Sequence, residues 1–300
     1  MAKIVKHMKR KFEVEGDRLY ISPSDTKKPI KYIEDIEGLE SLVDLTRLEL
    51  FNHEIEEISG LDRLKRLKLL NFSHNKITEI EGLDHLVGLR ELDLTGNSIT
   101  EIKGLKALKK LQRLKLGGNH IGEIKGLDSL TRLERLALWE NDEITEIKGL
   151  DRLVNLKVLD LNDIEAIKEI KGLDNCVNLQ RLRLDGTRVK EIKNIDHLEK
   201  LEVLNLAFTN VSEIKGLDKL RNLRILDLEG TKVKEIKGLE NLDNLEILNL
   251  KDTNIPDDLM KKLGGMGDDG HVKKPRNFPL YCKLKNEQEK KEKEEAEDLF

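Results

Sequence analysis

Aromatic side chains are scarce. They make up 3% of the 300 residues and include one tryptophan, so stacked rings cannot form the core and Leu and Ile must fill it. Each such side chain contributes roughly 1.5–3 kcal/mol when fully buried. The two cysteines, Cys176 and Cys282, supply no disulfide framework. Net charge is also small: 37% of residues are charged, yet the balance is only −4, so no global field selects nucleic acid or an anionic membrane. No segment approaches the ~20 apolar residues of a membrane-spanning helix. The start, Met1 to Phe12, has five basic residues but lacks the apolar run of a signal peptide. These absences predict a soluble, cytoplasmic chain without a membrane partner.

Catalytic signals are missing as well. His7, His53, His74, His85, His120, His197 and His271 show no metal-ligand spacing to Cys or Asp. There is no G-x-S-x-G, no carboxylate pair in an evident cleft, and no glycine pattern of a phosphate-binding loop. The expectation is no enzyme, no metal and no cofactor.

What is present is one stretch copied along the chain, of which Leu89 to Leu111 is a clear instance. Its apolar positions, Leu89, Leu92, Leu94, Ile99, Ile102, Leu105 and Leu108, fit neither a 3.6-residue nor a two-residue period over their whole length. They do fit one turn of a coil: Leu92 and Leu94 point inward from a short strand, Asn97 turns, and Ile99 and Ile102 cross the core. Copies begin at Leu45, Leu67, Leu89, Leu111, Leu133, Leu156, Leu179, Leu201, Leu223 and Leu245, so the period is 22 residues except for two steps of 23 at Leu133 and Leu156. The extra residues fall near Asp142-Glu143 and within Asn162 to Ile167, where bulges would alter the curvature. Stacked coils share one core, which predicts a solenoid.

Recurrent positions carry further expectations. Asn75, Asn97, Asn119 and Asn141, then Thr187, Thr209, Thr231 and Thr253, with His53 ahead of them, occupy the turn and should bond backbone between coils. A glycine such as Gly104 recurs where a positive φ or close backbone approach is required, and Asn194 is its one substitute. Glu-Ile-Lys triplets set a row of acids beside a row of bases, a solvated face. Cys176 takes the place of Leu108 and reads as a small buried apolar residue, whereas Cys282 receives no role.

The domain reading follows. Residues 1–32 form an N-terminal cap with a hairpin about Gly16-Asp17, and residues 33–255 hold the repeats. Residues 256–285 form a helical cap in which Phe278, Leu280 and Tyr281 pack on the last coil after a linker-like 264–270. Residues 286–300 form a charged tail, a frayed helix or disordered.

The pattern L-x-x-L-x-L-x-x-N-x-I-x-x-I-x-G-L resembles the SDS22-like class of leucine-rich repeats, from about Ile33 to Leu263. It is similar to the phosphatase-regulatory subunit that names that class and to internalin repeat domains. The resemblance implies an α/β right-handed horseshoe with a parallel β-sheet on the concave face and short 3-10 or irregular segments on the convex face. It also implies non-catalytic protein recognition by the concave face, with a phosphatase-like enzyme as one class of partner.

Strand alternation exposes the concave residues, and core demands do not fix their identity. Partner contact is expected from Phe51, His74, Trp139, Glu140, Asp160, Asp163, Arg181, Arg183 and Phe208, because large aromatics ringed by charge resemble interface hot spots. The competing reading packs Trp139 and Phe208 over adjacent strands. At the level of function the alternative is a structural spacer. Nucleic-acid binding stands third, because Glu91, Asp93, Asp160 and Asp227 interrupt the basic stripe of Arg113, Lys115, Arg135, Arg181 and Arg183.

Overall fold

A computed structural model describes residues 3–267 and 269–297. Its main feature is an 11-stranded parallel sheet in which each coil adds three residues. The strands are β3 (Arg18–Tyr20), β4 (Arg47–Glu49), β5 (Leu69–Asn71), β6 (Glu91–Asp93), β7 (Arg113–Lys115), β8 (Arg135–Ala137), β9 (Val158–Asp160), β10 (Arg181–Arg183), β11 (Val203–Asn205), β12 (Ile225–Asp227) and β13 (Ile247–Asn249). Leu92 and Leu94 are fully buried, as are Ile99, Ile102, Leu105 and Leu108, and the same holds coil after coil in one continuous core. Behind the sheet the chain returns through single tight turns, such as Leu86 N–H to Leu83 O at 2.9 Å.

The N-terminal hairpin differs from the expectation. The turn at Gly16-Asp17 does form, closed by Glu15 N–H to Arg18 O at 3.0 Å and Arg18 N–H to Glu15 O at 3.1 Å, but pairing stops at that bridge. The paired strands are β1 (Ile4–His7) and β2 (Arg10–Glu13) across Met8-Lys9, both at positive φ. Arg18–Tyr20 instead pairs in parallel with Arg47–Glu49, so the sheet begins inside the segment assigned to the cap. Leu19 and Ile21, both fully buried, play the parts of Leu92 and Leu94. Alternation in sequence marks a strand but does not name its neighbour.

The two 23-residue coils leave the sheet undisturbed: Arg135 pairs with Val158 and Val158 with Arg181 in unbroken register. Each extra residue is taken up in a turn past the strand, closed by Ile144 N–H to Asn141 O at 3.0 Å and Ile167 N–H to Ile164 O at 3.1 Å. No strand bulge forms there.

The turn ladder is two ladders. In the first half each Asn spans two coils: the Asn97 side chain accepts from Ile77 N–H at 2.9 Å and donates to Phe72 O and Leu94 O, each at 3.0 Å. Asn75, Asn119 and Asn141 repeat this. In the second half each Thr hydroxyl donates within its own coil, as Thr209 does to Leu206 O at 2.7 Å. The expected bonding between coils therefore holds for Asn and not for Thr, whose side chain is too short to reach the preceding coil.

His53 heads the Asn ladder, accepting from Ile30 N–H at 3.3 Å through Nδ1 and donating to Ile21 O at 3.0 Å through Nε2. Burial is the main cause that holds its pKa below the ordinary value, His7 adds to it, and the Ile21 carbonyl opposes. The unfolded chain therefore binds this proton at a higher pH than the folded chain. Stability is fully present above about 6.5, the unperturbed pKa, and is lost as pH falls below it. The thermal midpoint should drop between pH 7 and pH 5, and less so in His53→Asn, which keeps the bonding pattern without a titrating ring.

At the far end, α1 (Asp257–Lys262) and α2 (Asn277–Glu297) close the core. Phe278 and Cys282 are buried and Tyr281 half-buried, but Leu280 is 55% exposed and faces away from the last coil. Cys282 is thus a core residue, a role the sequence did not suggest. The described residues of the segment taken for a linker are structured: Met266 bridges Val272, and Val272 N–H bonds Leu248 O at 2.9 Å, which covers the edge of β13. The charged tail continues α2 as far as residue 297, and residues 298–300 lie outside the described residues. Among the described residues no helix is long and apolar enough to cross a membrane.

Candidate interaction surface

Two outward residues per strand, and the one two places beyond, make up the accessible face of the sheet. The middle column is rich in Asp and Asn for a local reason. Asp93 Oδ1 accepts from Thr95 N–H at 3.1 Å, Asp160 Oδ1 from Asn162 N–H at 3.3 Å, and Asp227 Oδ1 from Glu229 N–H at 3.1 Å. These carboxylates close the turn that leaves each strand. In two of them the second oxygen meets a cation from the next coil: Lys115 to Asp93 at 2.9 Å and Arg183 to Asp160 at 3.2 Å. Arg183 also lies 3.6 Å from Asp185, an ion contact too long for a hydrogen bond. Burial raises the pKa of both Asp160 and Asp185, and Arg183 opposes the shift in each.

Past the strands runs a second column, all at positive φ: Asn52, His74, Gly96, Gly118, Glu140, Asp163, Gly186, Phe208, Gly230 and Asp252. Where this position is not glycine, its side chain leans over the next coil. A Cβ added to Gly96 would meet His74 at 2.6 Å, one on Gly186 would meet Asp163 at 2.4 Å, and one on Gly230 would meet Phe208 at 2.6 Å. The glycine clears space for the neighbour's side chain.

Phe208 is the exception that matters. A left-handed conformation costs an L-residue roughly 1–2 kcal/mol, and a bulky ring has no side-chain hydrogen bond to offset it. Phe208 holds φ at 57° and nevertheless stands 62% exposed. With Glu140, Asp142, Asp163, Glu165 and Arg188 it lines a notch of about 830 Å³ that runs from the two 23-residue coils over the two coils after them.

The structure therefore joins some of the candidate residues and separates others. Glu140, Asp163 and Phe208 share the notch, and Asp142, Glu165 and Arg188, which the sequence reading omitted, complete it. Asp160 and Arg183 form an ion pair on the adjoining sheet. Trp139 does not join Phe208. Its half-buried indole leans back onto the preceding coil, where a Cβ on Gly117 would meet it at 2.3 Å. Phe51 stacks on Tyr20 at 5.2 Å, and His74 lies on the same rim at the N-terminal end of the sheet. Arg181 is exposed and has no carboxylate within salt-bridge distance among the described residues. One sequence signal could have exposed the rim column: Gly96, Gly118, Gly186 and Gly230 share its repeat position and mark it as left-handed.

Residues 65–107 and 199–241 match the family model described as leucine-rich repeats in two copies. The fold is a leucine-rich-repeat solenoid. The internalin InlF of Listeria monocytogenes is similar at 25% identity and a TM-score of 0.62, over 79% of this solenoid and 75% of InlF. Internalin C2 of the same organism shares 29% identity at a TM-score of 0.57, over 71% of this solenoid and 84% of that chain. The functional domain of InlJ, with its cysteine ladder, aligns at a TM-score of 0.63 and 22% identity, a likeness of fold. The alignment covers 75% of this solenoid but only 47% of that InlJ chain. No curated protein gives a significant match.

Proposed function

We propose that this solenoid is a non-catalytic scaffold that holds a folded protein partner on its sheet face, with Phe208 and the notch beside it as the anchor. The observation that supports this reading is Phe208 itself: a bulky ring is kept at a positive φ, and its contact over Gly230 still leaves it 62% exposed. An aromatic anchor rimmed by charge fits a protein interface. The resemblance to phosphatase-regulatory repeats makes a phosphatase-type enzyme the finer form of the reading. Nucleic acid is a poorer fit to this face, because Arg113, Lys115 and Arg183 are each tied to a carboxylate at 2.9, 2.9 and 3.2 Å.

The test compares proteins captured from native lysate by the unaltered chain and by Phe208→Gly. Glycine relieves the strained backbone, so the thermal midpoint should hold or rise while affinity for the true partner falls by ~2 kcal/mol or more, the scale of a hot-spot aromatic. A partner retained equally by both would remove the notch from the interface. Trp139→Ala separates the two aromatics: packed against Gly117, Trp139 should lose stability on truncation and change binding less than Phe208 does.

A further inference from the structure

Many cations of this solenoid stand without a carboxylate partner among the described residues, and one group of them gathers around a single opening. Lys68 and Arg90 occupy the same place in successive coils, joined through the backbone by Arg90 N–H to Lys68 O at 2.8 Å. Their side chains thus emerge about 4.8 Å apart with like charge, an arrangement that is destabilising by itself. Further along the same column the signs alternate and pair, Lys157 with Glu134 at 3.0 Å and Arg224 with Glu246 at 2.7 Å. Lys68 and Arg90, together with Lys65, Arg66 and Lys110, wall a notch of about 470 Å³ that no acidic residue lines. Arg66 is neutralised by Asp44 at 2.7 Å. The other four have no salt-bridge partner among the described residues.

Such notches recur along this column, and the later one, of about 500 Å³ beside Asn222 and Asn244, is lined by Glu202 and Glu246 as well as by cations; here Gly88 sits in the wall. Later coils place Asn155, Asn178, Asn222 and Asn244 at this position, each donating to a carbonyl of the preceding coil at 2.8 Å. Gly88 leaves that space open, with Leu67 O the nearest atom to an added Cβ at 3.5 Å and no positive φ to demand glycine. Beside it Val87 is 56% exposed, and two coils back Val43 is 44% exposed.

We propose that this notch is a second binding site, separate from the sheet face, for a phosphorylated serine or threonine in an extended segment of a protein partner. Four cations around one opening match a dianion with three acceptor oxygens, whereas a single carboxylate would leave most of the charge unmet. The exposed valines suit apolar residues that flank the phosphorylated one. No aromatic side chain lines the opening to stack a nucleobase. The recessed floor favours one protruding side chain over a flat lipid surface.

Fluorescence polarisation on the full chain tests this with a labelled Gly-Leu-phosphoSer-Leu-Gly peptide, its serine and aspartate counterparts, inorganic phosphate, and vesicles containing phosphatidylserine. The phosphopeptide should bind at least tenfold more tightly than either counterpart. Lys68→Ala or Arg90→Ala should weaken it tenfold or more. Lys68→Glu should abolish it with the thermal midpoint unchanged or raised, because it restores to Arg90 the opposite-sign neighbour found further along the column, and with Phe208-dependent capture intact, which keeps this site's failure distinct from that of the sheet face. Equal binding of the aspartate peptide, inorganic phosphate binding as tightly as the phosphopeptide, preference for the vesicles, or binding that survives Lys68→Glu would each overturn the assignment.

Discussion

Asn97→Ala is expected to lower the unfolding free energy by about 2–3 kcal/mol, because of the three buried backbone groups it bonds it leaves one, Ile77 N–H, unpaired at ~1–3 kcal/mol, and takes one of two side-chain donors from the others, which keep Asn75 and Asn119. Those groups are Ile77 N–H, Phe72 O and Leu94 O, and two of the three belong to the preceding coil. Water cannot replace the side chain, since Asn97 and its apolar neighbours Leu94 and Ile99 are buried. Thr209→Ala is the matched control. It removes one bond, to Leu206 O, within one coil, and should cost about 1 kcal/mol. Urea denaturation of both variants, read by circular dichroism, gives the comparison. Equal losses would mean that the Asn bridges between coils add nothing beyond local capping.

Gly104→Ala should be at least as damaging. The alanine Cβ would stand 2.0 Å from Ile80 O, a backbone atom in the preceding coil, and the residue would keep φ near 70°. The left-handed conformation alone costs roughly 1–2 kcal/mol. Gly16→Ala isolates that part, for it has φ of 64° and nothing within 4 Å of the added carbon. The excess loss at Gly104 over Gly16 is therefore the cost of pushing two coils apart, and we expect a total above 4 kcal/mol, large enough to rank with core cavities. Similar midpoints for the two alanine variants would show that the coils separate without resistance. Asn194 shows the one side-chain solution found at this position: at φ of 61° its amide donates to Ile170 O at 2.8 Å, so the group that would clash becomes a partner.

The repeat was legible because Leu and Ile spacing reports burial directly, and the glycine column because Asn194 is the type of residue that tolerates the same backbone. Less legible were features that depend on reach or on a neighbouring coil. Asn and Thr both bond backbone, and only the length of the side chain decides whether the bond crosses to the preceding coil. Arg18–Tyr20 alternates as a hairpin strand would, but its parallel partner lies 29 residues ahead at Arg47–Glu49. Trp139 and Phe208 look alike in sequence, as large residues at non-core positions. Both lie over a glycine of a neighbouring coil, Gly117 and Gly230, but the indole becomes half-buried there whereas Phe208 stays 62% exposed. The acidic and aromatic rim residues were found by strand alternation, but their shared left-handed backbone required comparing them with the glycines of other coils.

The change from asparagine to threonine has a mechanical consequence. The four Asn-bearing coils are bridged to their neighbours by side chains at the turn past the strands, whereas most later coils are bridged ahead of the strands, by Asn155, Asn178, Asn222 and Asn244. Treated as a spring, the molecule is therefore braced along one edge of the sheet in its first half and along the other in its second, and the brace changes edge where Glu140, Asp163 and Phe208 line their notch. A load applied at the two ends would open the unbraced edge of each half first. A partner seated on Phe208 would grip the solenoid at the junction between the two elastic segments, where a small change of grip alters how far the free end travels.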